Sequence, residues 1–90
     1  MAPDDPAVRR FWTALIGPGA VADLLRLTAA ARAGRSLRRP VHLAELLCEG
    51  LVLRDGNAIW VHRNVPLLSP GHVRRLRPSL RAEYRAAMAL

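Results

Sequence analysis

Apolar residues recur at helical spacing in three stretches before the chain changes period. Val8, Phe11, Trp12 and Leu15 fall at i, i+3, i+4 and i+7, one face of a helix. Asp5 can cap that helix and Pro6 suits its first turn. Gly17-Pro18-Gly19 ends it, and Phe11 and Trp12 are expected in the core. Residues 20–33 form the clearest helix. Val21, Leu24, Leu25 and Thr28 share a face that Leu27 and Ala31 widen, with Asp23 and Arg26 opposite. Gly34 stops it. Pro40 begins a third helix, "PVHLAELLCEG", with Leu43, Leu46 and Leu47 inward, Glu45 and Glu49 outward, and Gly50 as its stop.

The stretch "LRDGNAIWVHR" then reads as two short strands, about 51–54 and 58–62, folded about Asp55-Gly56-Asn57. If all three turn residues lie in the loop, Leu53 faces Ile59 and Leu51 faces Val61. Leu51, Leu53, Ile59 and Val61 then share the core face, and Val52, Arg54, Trp60 and His62 the other. A shift by one residue pairs Leu53 with Trp60 and mixes the faces, so burial selects the first register. On that outer face Trp60 is free to stack on a base or fill a partner's pocket. The favoured expectation is that the C-terminal helix packs over this face and buries Trp60, because a small domain seldom leaves a tryptophan outside.

After the apolar connection "NVPLLS", Ser69-Pro70 makes a cap and first-turn pair. Val73, Leu76, Leu80, Tyr84 and Met88 continue a helical stripe across Pro78. Pro78 cannot donate to the helix ladder, so the C-terminal helix is expected to kink near it or to split into two abutting helices. Arg74, Arg81 and Arg85 line up beside the stripe, with Arg77 near its border. The expected fold is one mostly helical α+β domain, residues 1–90, with three N-terminal helices, one β-hairpin and the C-terminal helix. A chain this short buries only about 60–65% of its unfolded surface. The 73–88 stripe, with Tyr84 and Met88, is therefore expected to pair with a second copy or a partner protein.

Composition removes several classes. Apolar residues make up 51% of the chain, too many for a disordered tail. The longest uncharged run of the first half, "FWTALIGPGAVA", falls far short of the roughly 20 apolar residues of a membrane span, so no membrane partner is expected. The opening "MAPDDPAVRR" has two acids and no apolar core of a signal peptide. A lone cysteine, Cys48, excludes an internal disulfide and fits a reducing compartment, so the cytoplasm is expected. Charge adds most. Fourteen basic residues against seven acids give +7, and every base is arginine. Coding bias in a GC-rich genome trades lysine for arginine but does not create the excess over acids. A field of this sign favours a polyanionic partner.

No catalytic constellation emerges, so no enzyme and no cofactor is expected. Ser36, Ser69 and Ser79 sit in cap-like or turn positions, and the acids are scattered. "GPGA" lacks the lysine and spacing of a phosphate loop. His42, Cys48, His62 and His72 are of metal-ligating type. His42 and Cys48 do not share a helix face, however, and no CxxC or HxxxH is present, so no metal is expected. Cys48 reads as a small buried residue.

What remains is basic and aromatic surface. The candidate nucleic-acid contacts are Arg35, Arg38 and Arg39 in the charged connection, Arg74, Arg75, Arg81 and Arg85 near the C-terminus, and Arg54, Trp60 and Arg63 on the hairpin. Asn57 and Asn64 are the only amides, so contacts would go mainly to phosphate, on DNA or RNA, with little base readout. A protein-interaction module using residues 73–88 is the alternative. The helices-then-hairpin order of residues 6–62 resembles winged helix-turn-helix domains. The resemblance implies a helix before the wing that enters the major groove; here that helix carries His42, Glu45 and Glu49, acids that repel phosphate. "LSPGHVRRLRPSL" is similar to a recognition-helix segment of some helix-turn-helix regulators, without the short turn that precedes one.

Overall fold

Asp5 starts the first helix by accepting a hydrogen bond from the Ala7 backbone N–H at 2.9 Å, which satisfies one of the orphan donors of a helix start. The computed structural model describes residues 1–89. In it, α1 opens as a wide π-helical turn, Val8–Trp12, and continues as α-helix over Thr13–Ile16. Val8, Phe11 and Trp12 are all buried, as their spacing requires. The chain breaks at Gly17, and Pro18 sits in the first turn of α2 (Pro18–Arg32). Next come α3 (Leu43–Cys48), the antiparallel strands β1 (Val52–Asp55) and β2 (Ala58–Val61), α4 (Pro70–Arg75) and α5 (Pro78–Met88). The described residues thus form an α+β architecture of five helices and a two-stranded sheet.

The core lies where α1, α2 and α3 meet the base of the hairpin. Trp12, Leu46, Leu51, Val8 and Val52 are its largest fully buried side chains. The connection after β2 is drawn in at Val65, which exchanges two hydrogen bonds with Met1 (2.7 and 2.8 Å). Trp12 Nε1 donates to the Pro66 carbonyl at 3.4 Å. Tyr84 closes the far side: its hydroxyl accepts from Leu68 N–H at 3.0 Å, and its ring meets Phe11 edge-on at 5.1 Å.

Several expectations are corrected. The third helix begins at Leu43, not Pro40, because residues 35–40 run without regular structure and Pro40 only closes a turn onto Leu43 N–H. Asp23 is buried rather than outward. Cys48 is exposed, because a six-residue helix turns only Leu43 and Leu46 fully inward.

The hairpin register is the shifted one. Val52 pairs with Val61, Leu53 with Trp60, Arg54 with Ile59 and Asp55 with Ala58. Only Gly56 and Asn57 form the loop, and Gly56 takes the positive φ (57°) that a two-residue hairpin turn places on its first residue. Leu51 explains the difference. It is not a strand residue: its N–H bonds Leu46 O at 3.0 Å to finish α3, and its side chain enters the core from there. With Leu51 satisfied, Val52, Ile59 and Val61 supply the inner face. Leu53 and Trp60 are left as an exposed cross-strand pair, 56% and 60% accessible, and no C-terminal helix covers Trp60.

The C-terminal stripe divides into two helices. Leu76 and Arg77 are extended (ψ 143° and 157°) between α4 and α5. Pro78 imposes this, since its ring disfavours helical geometry in the residue before it. Arg74, Arg81 and Arg85 therefore do not form one straight ladder. Leu76 and Tyr84 are buried in this chain's own core, and Val73, Leu80 and Met88 pack partly buried against it. The core does reach Tyr84, contrary to the expectation that called for a second chain there. Among the described residues no helix is long and apolar enough to cross a membrane.

Candidate functional site

The last turn of α2 aims the basic connection at the hairpin. Ala30 O accepts from Arg35 N–H at 2.8 Å and Ala31 O from Gly34 N–H at 3.3 Å. This paired closure needs a left-handed residue, which Gly34 supplies with φ 65°. The chain then turns back past the inner face of β2, which itself lies against α2. Between them runs a trough of about 570 Å³. Its floor is aliphatic: Leu27, Ala30, Leu43, Ile59 and Val61. Its cations are Arg35 and Arg39 from the connection and Arg54 from β1, whose Nε donates to Gly56 O at 3.1 Å. Ser36 and Asn57 add a hydroxyl and an amide.

A shallower depression of about 330 Å³ continues along the same helix and strand, sharing Ala31 and Val61 with the first. Arg32, His62 and Arg63 line it. Among the described residues no carboxylate lines either depression. None of these five arginines has an ion-pair partner among the described residues.

Three of the acids, Asp23, Glu49 and Glu83, are engaged elsewhere, holding helices together. Asp23 accepts from the His42 N–H (3.1 Å), from His42 Nδ1 (2.9 Å) and from Arg26. Burial pushes this carboxyl up, but the His42 and Arg26 contacts outweigh it and the net shift is downward. Glu49 binds His72 Nε2 at 2.5 Å and Arg75 Nη1 at 3.0 Å, joining α3 to α4. There too burial raises the carboxyl, and the His72 and Arg75 contacts carry it below its ordinary value. Glu83 of α5 takes both a 2.5 Å and a 2.7 Å bond from Arg10 of α1, and the arginine's hydrogen bonds lower it.

The sequence-derived candidates therefore separate. Arg35, Arg39 and Arg54 come together on one trough, with Arg63 on its continuation. Arg38 is exposed in the connection but does not line the trough. Trp60 stands with Leu53 on the opposite face of the hairpin from Arg54, Ile59 and Val61. Arg75 is committed to Glu49. Arg81 donates to the carbonyls of Val73, Arg74 and Leu76 (3.3, 3.1 and 2.9 Å), closing the end of α4. Arg74 and Arg85 are exposed.

Two features escaped the sequence reading. Arg32, on the continuation of the trough, was not among the sequence-derived candidates, and the floor became visible only with the hairpin register. The spacing of Leu27, Ala30 and Ala31 on α2 is the one signal that could have placed them beside a strand. No group of three metal-ligating side chains occurs among the described residues.

Fold and site together define a small α+β domain with an arginine-rimmed, apolar-floored trough between a helix end and a hairpin. No protein-family model matches the chain, and no curated protein or solved structure matches it.

Proposed function

We propose that this chain is a nucleic-acid-binding protein of winged-helix-like build that grips phosphate through its arginines and performs no catalysis. The observation that carries this reading is the trough: Arg35, Arg39 and Arg54 over an aliphatic floor, continued by Arg32 and Arg63, with no carboxylate on the wall. Unpaired guanidinium groups on one surface are the electrostatic footprint of a phosphate backbone. Arg38, Arg74 and Arg85 add to the field. In this reading the hairpin acts as the wing, and α3 gives the contact only Leu43, on the floor of the trough. Leu43 and Leu46 of α3 belong to the core, and Glu49 just beyond it is tied to His72 and Arg75. The lone cysteine fits a cytoplasmic setting. Fluorescence anisotropy on labelled DNA and RNA across a salt series tests the proposal. Four to six phosphate contacts give a log–log slope of about −3 to −5. Absence of binding at low salt on any nucleic acid would end it.

The hairpin's outer face favours a second reading, a protein-interaction module. Leu53 and Trp60 form an exposed apolar pair, and tryptophan is enriched among the residues that anchor protein interfaces. This supports a partner surface on the hairpin more than on residues 73–88, whose stripe is largely used within the chain. Light scattering at micromolar concentration separates a dimer through either surface from a monomer.

A further inference from the structure

We infer that the trough takes a single strand, with a base laid on its aliphatic floor and the flanking phosphates on Arg35, Arg39 and Arg54. The inference rests on the phosphate-gripping reading above and adds which form of nucleic acid the site accepts. A duplex turns phosphates and sugars outward and keeps its base faces stacked inside. It would satisfy the arginines and leave the floor empty. A single strand alternates phosphates with exposed base faces. The trough offers both kinds of partner, exposed arginines beside buried and half-buried aliphatic side chains. Its volume, about 570 Å³, lies within the roughly 300–1,000 Å³ of pockets that enclose a small ligand. Guanidinium planes can also stack on a base, and Ser36 and Asn57 add to the lining a hydroxyl and an amide able to hydrogen-bond a base edge.

The rim chemistry separates a strand from an acidic peptide. Arginine donates and cannot accept. A sugar–phosphate backbone offers chiefly acceptors, so it can lie on such a rim with its groups satisfied. A peptide also brings backbone N–H groups, and each one laid against guanidinium loses its partner.

The test compares three ligands of about 12 nucleotides at one salt concentration by anisotropy: an intact single strand, an abasic strand with the same phosphates, and a duplex. The intact strand is expected to bind roughly tenfold tighter than either other ligand, about the worth of one base face taken out of water against an aliphatic floor. Ala31→Arg supplies the second arm. Ala31 is exposed on α2 and touches both depressions, and arginine is a good helix former. The substitution adds a charge while placing a long side chain at the join of the two depressions, where it narrows the way to the floor. It should weaken the intact strand by about fivefold, most of the apolar burial of one base, and leave the abasic strand no weaker. Equal affinity for all three ligands, or tighter binding of both strands by Ala31→Arg, overturns the inference and leaves phosphate binding standing. Binding to none of them at low salt removes both. So does binding of an acidic leucine–glutamate peptide that Ala31→Arg abolishes, when no strand binds.

Discussion

His42 lies directly over Gly19 in the first turn of α2: a β-carbon on Gly19 would come within 2.7 Å of His42 Cε1. The ring cannot simply swing away. Its Nδ1 and its backbone N–H both bond the buried carboxylate of Asp23. Gly19 is thus the space through which the segment before α3 reaches α2.

Gly19→Ala should therefore destabilise the protein by about 1–2 kcal/mol, although alanine is otherwise up to about 1 kcal/mol better than glycine in a helix. The loss comes from displacing His42 and leaving Asp23 without its main partner. In a His42→Ala background the same change should become neutral or stabilising, since nothing remains to collide with. Thermal denaturation of the four proteins reads the sign directly. Additive effects would show that the two residues do not touch in solution.

Acid should unfold the chain through the same contacts. Asp23 and Glu49 titrate below their ordinary values in the folded state, despite burial, because histidine and arginine hydrogen bonds hold the charged forms. A depressed carboxyl contributes stability that is complete above its unfolded value, about 4, and is lost as pH falls through its folded value. Tm should stay level from neutrality to about pH 5 on this account and fall below about pH 4. Asp23→Asn keeps one acceptor but loses the charge. It should be less stable by about 1–3 kcal/mol near neutrality, and its deficit should shrink as the wild-type carboxyl protonates. A deficit that stays constant with pH would mean that size or shape, not charge, sets it.

How much of this was readable beforehand follows from what each residue answers to. Phe11 and Trp12 were legible because a run of helical spacing has one consistent inner face. Asp23 was not, since its burial depends on a partner nineteen positions away, His42, that no local period reveals. The hairpin was legible as a hairpin from Asp55-Gly56-Asn57. Its register was not, because the choice turned on Leu51, which the ending of α3 claims. One misassigned leucine carried Val52, Leu53 and Arg54 to the wrong faces, while Trp60 kept its outer one. The candidate arginines were visible as charge. Which of them are free depended on Glu49 and on the open carbonyls at the end of α4, features of tertiary structure alone.

Arg81 and Arg85 should behave differently though both are C-terminal arginines. Arg81 donates to three main-chain carbonyls where α4 stops, so Arg81→Ala leaves those acceptors to water and should cost about 1–2 kcal/mol. Arg85 is exposed, and Arg85→Ala should stay within about 0.5 kcal/mol of wild type. Urea denaturation separates them. If both are silent, the closure of α4 does not depend on Arg81.

The last prediction sets the trough against the rest of the charged surface. If Arg35, Arg39 and Arg54 each hold a phosphate, replacing all three with alanine removes three counterion-releasing contacts. On single strands each contact contributes about 0.7 to the log–log salt slope, so the triple variant should flatten that slope by about 2. Replacing Arg74 and Arg85 removes the same kind of charge from α4 and α5, and should change the slope by less than the triple. Trp60→Ala is the control for the hairpin. Trp60 lies on the face opposite Arg54, so its loss should leave the slope and the affinity unchanged. It should lower stability only by the worth of its cross-strand pair with Leu53, about 0.2–1 kcal/mol. Anisotropy titrations at several salt concentrations check all three variants. A triple variant with the wild-type slope would move the phosphate contacts off the trough. A large loss with Trp60→Ala would move the bases to the outer face of the hairpin, where Leu53 and Trp60 are exposed together.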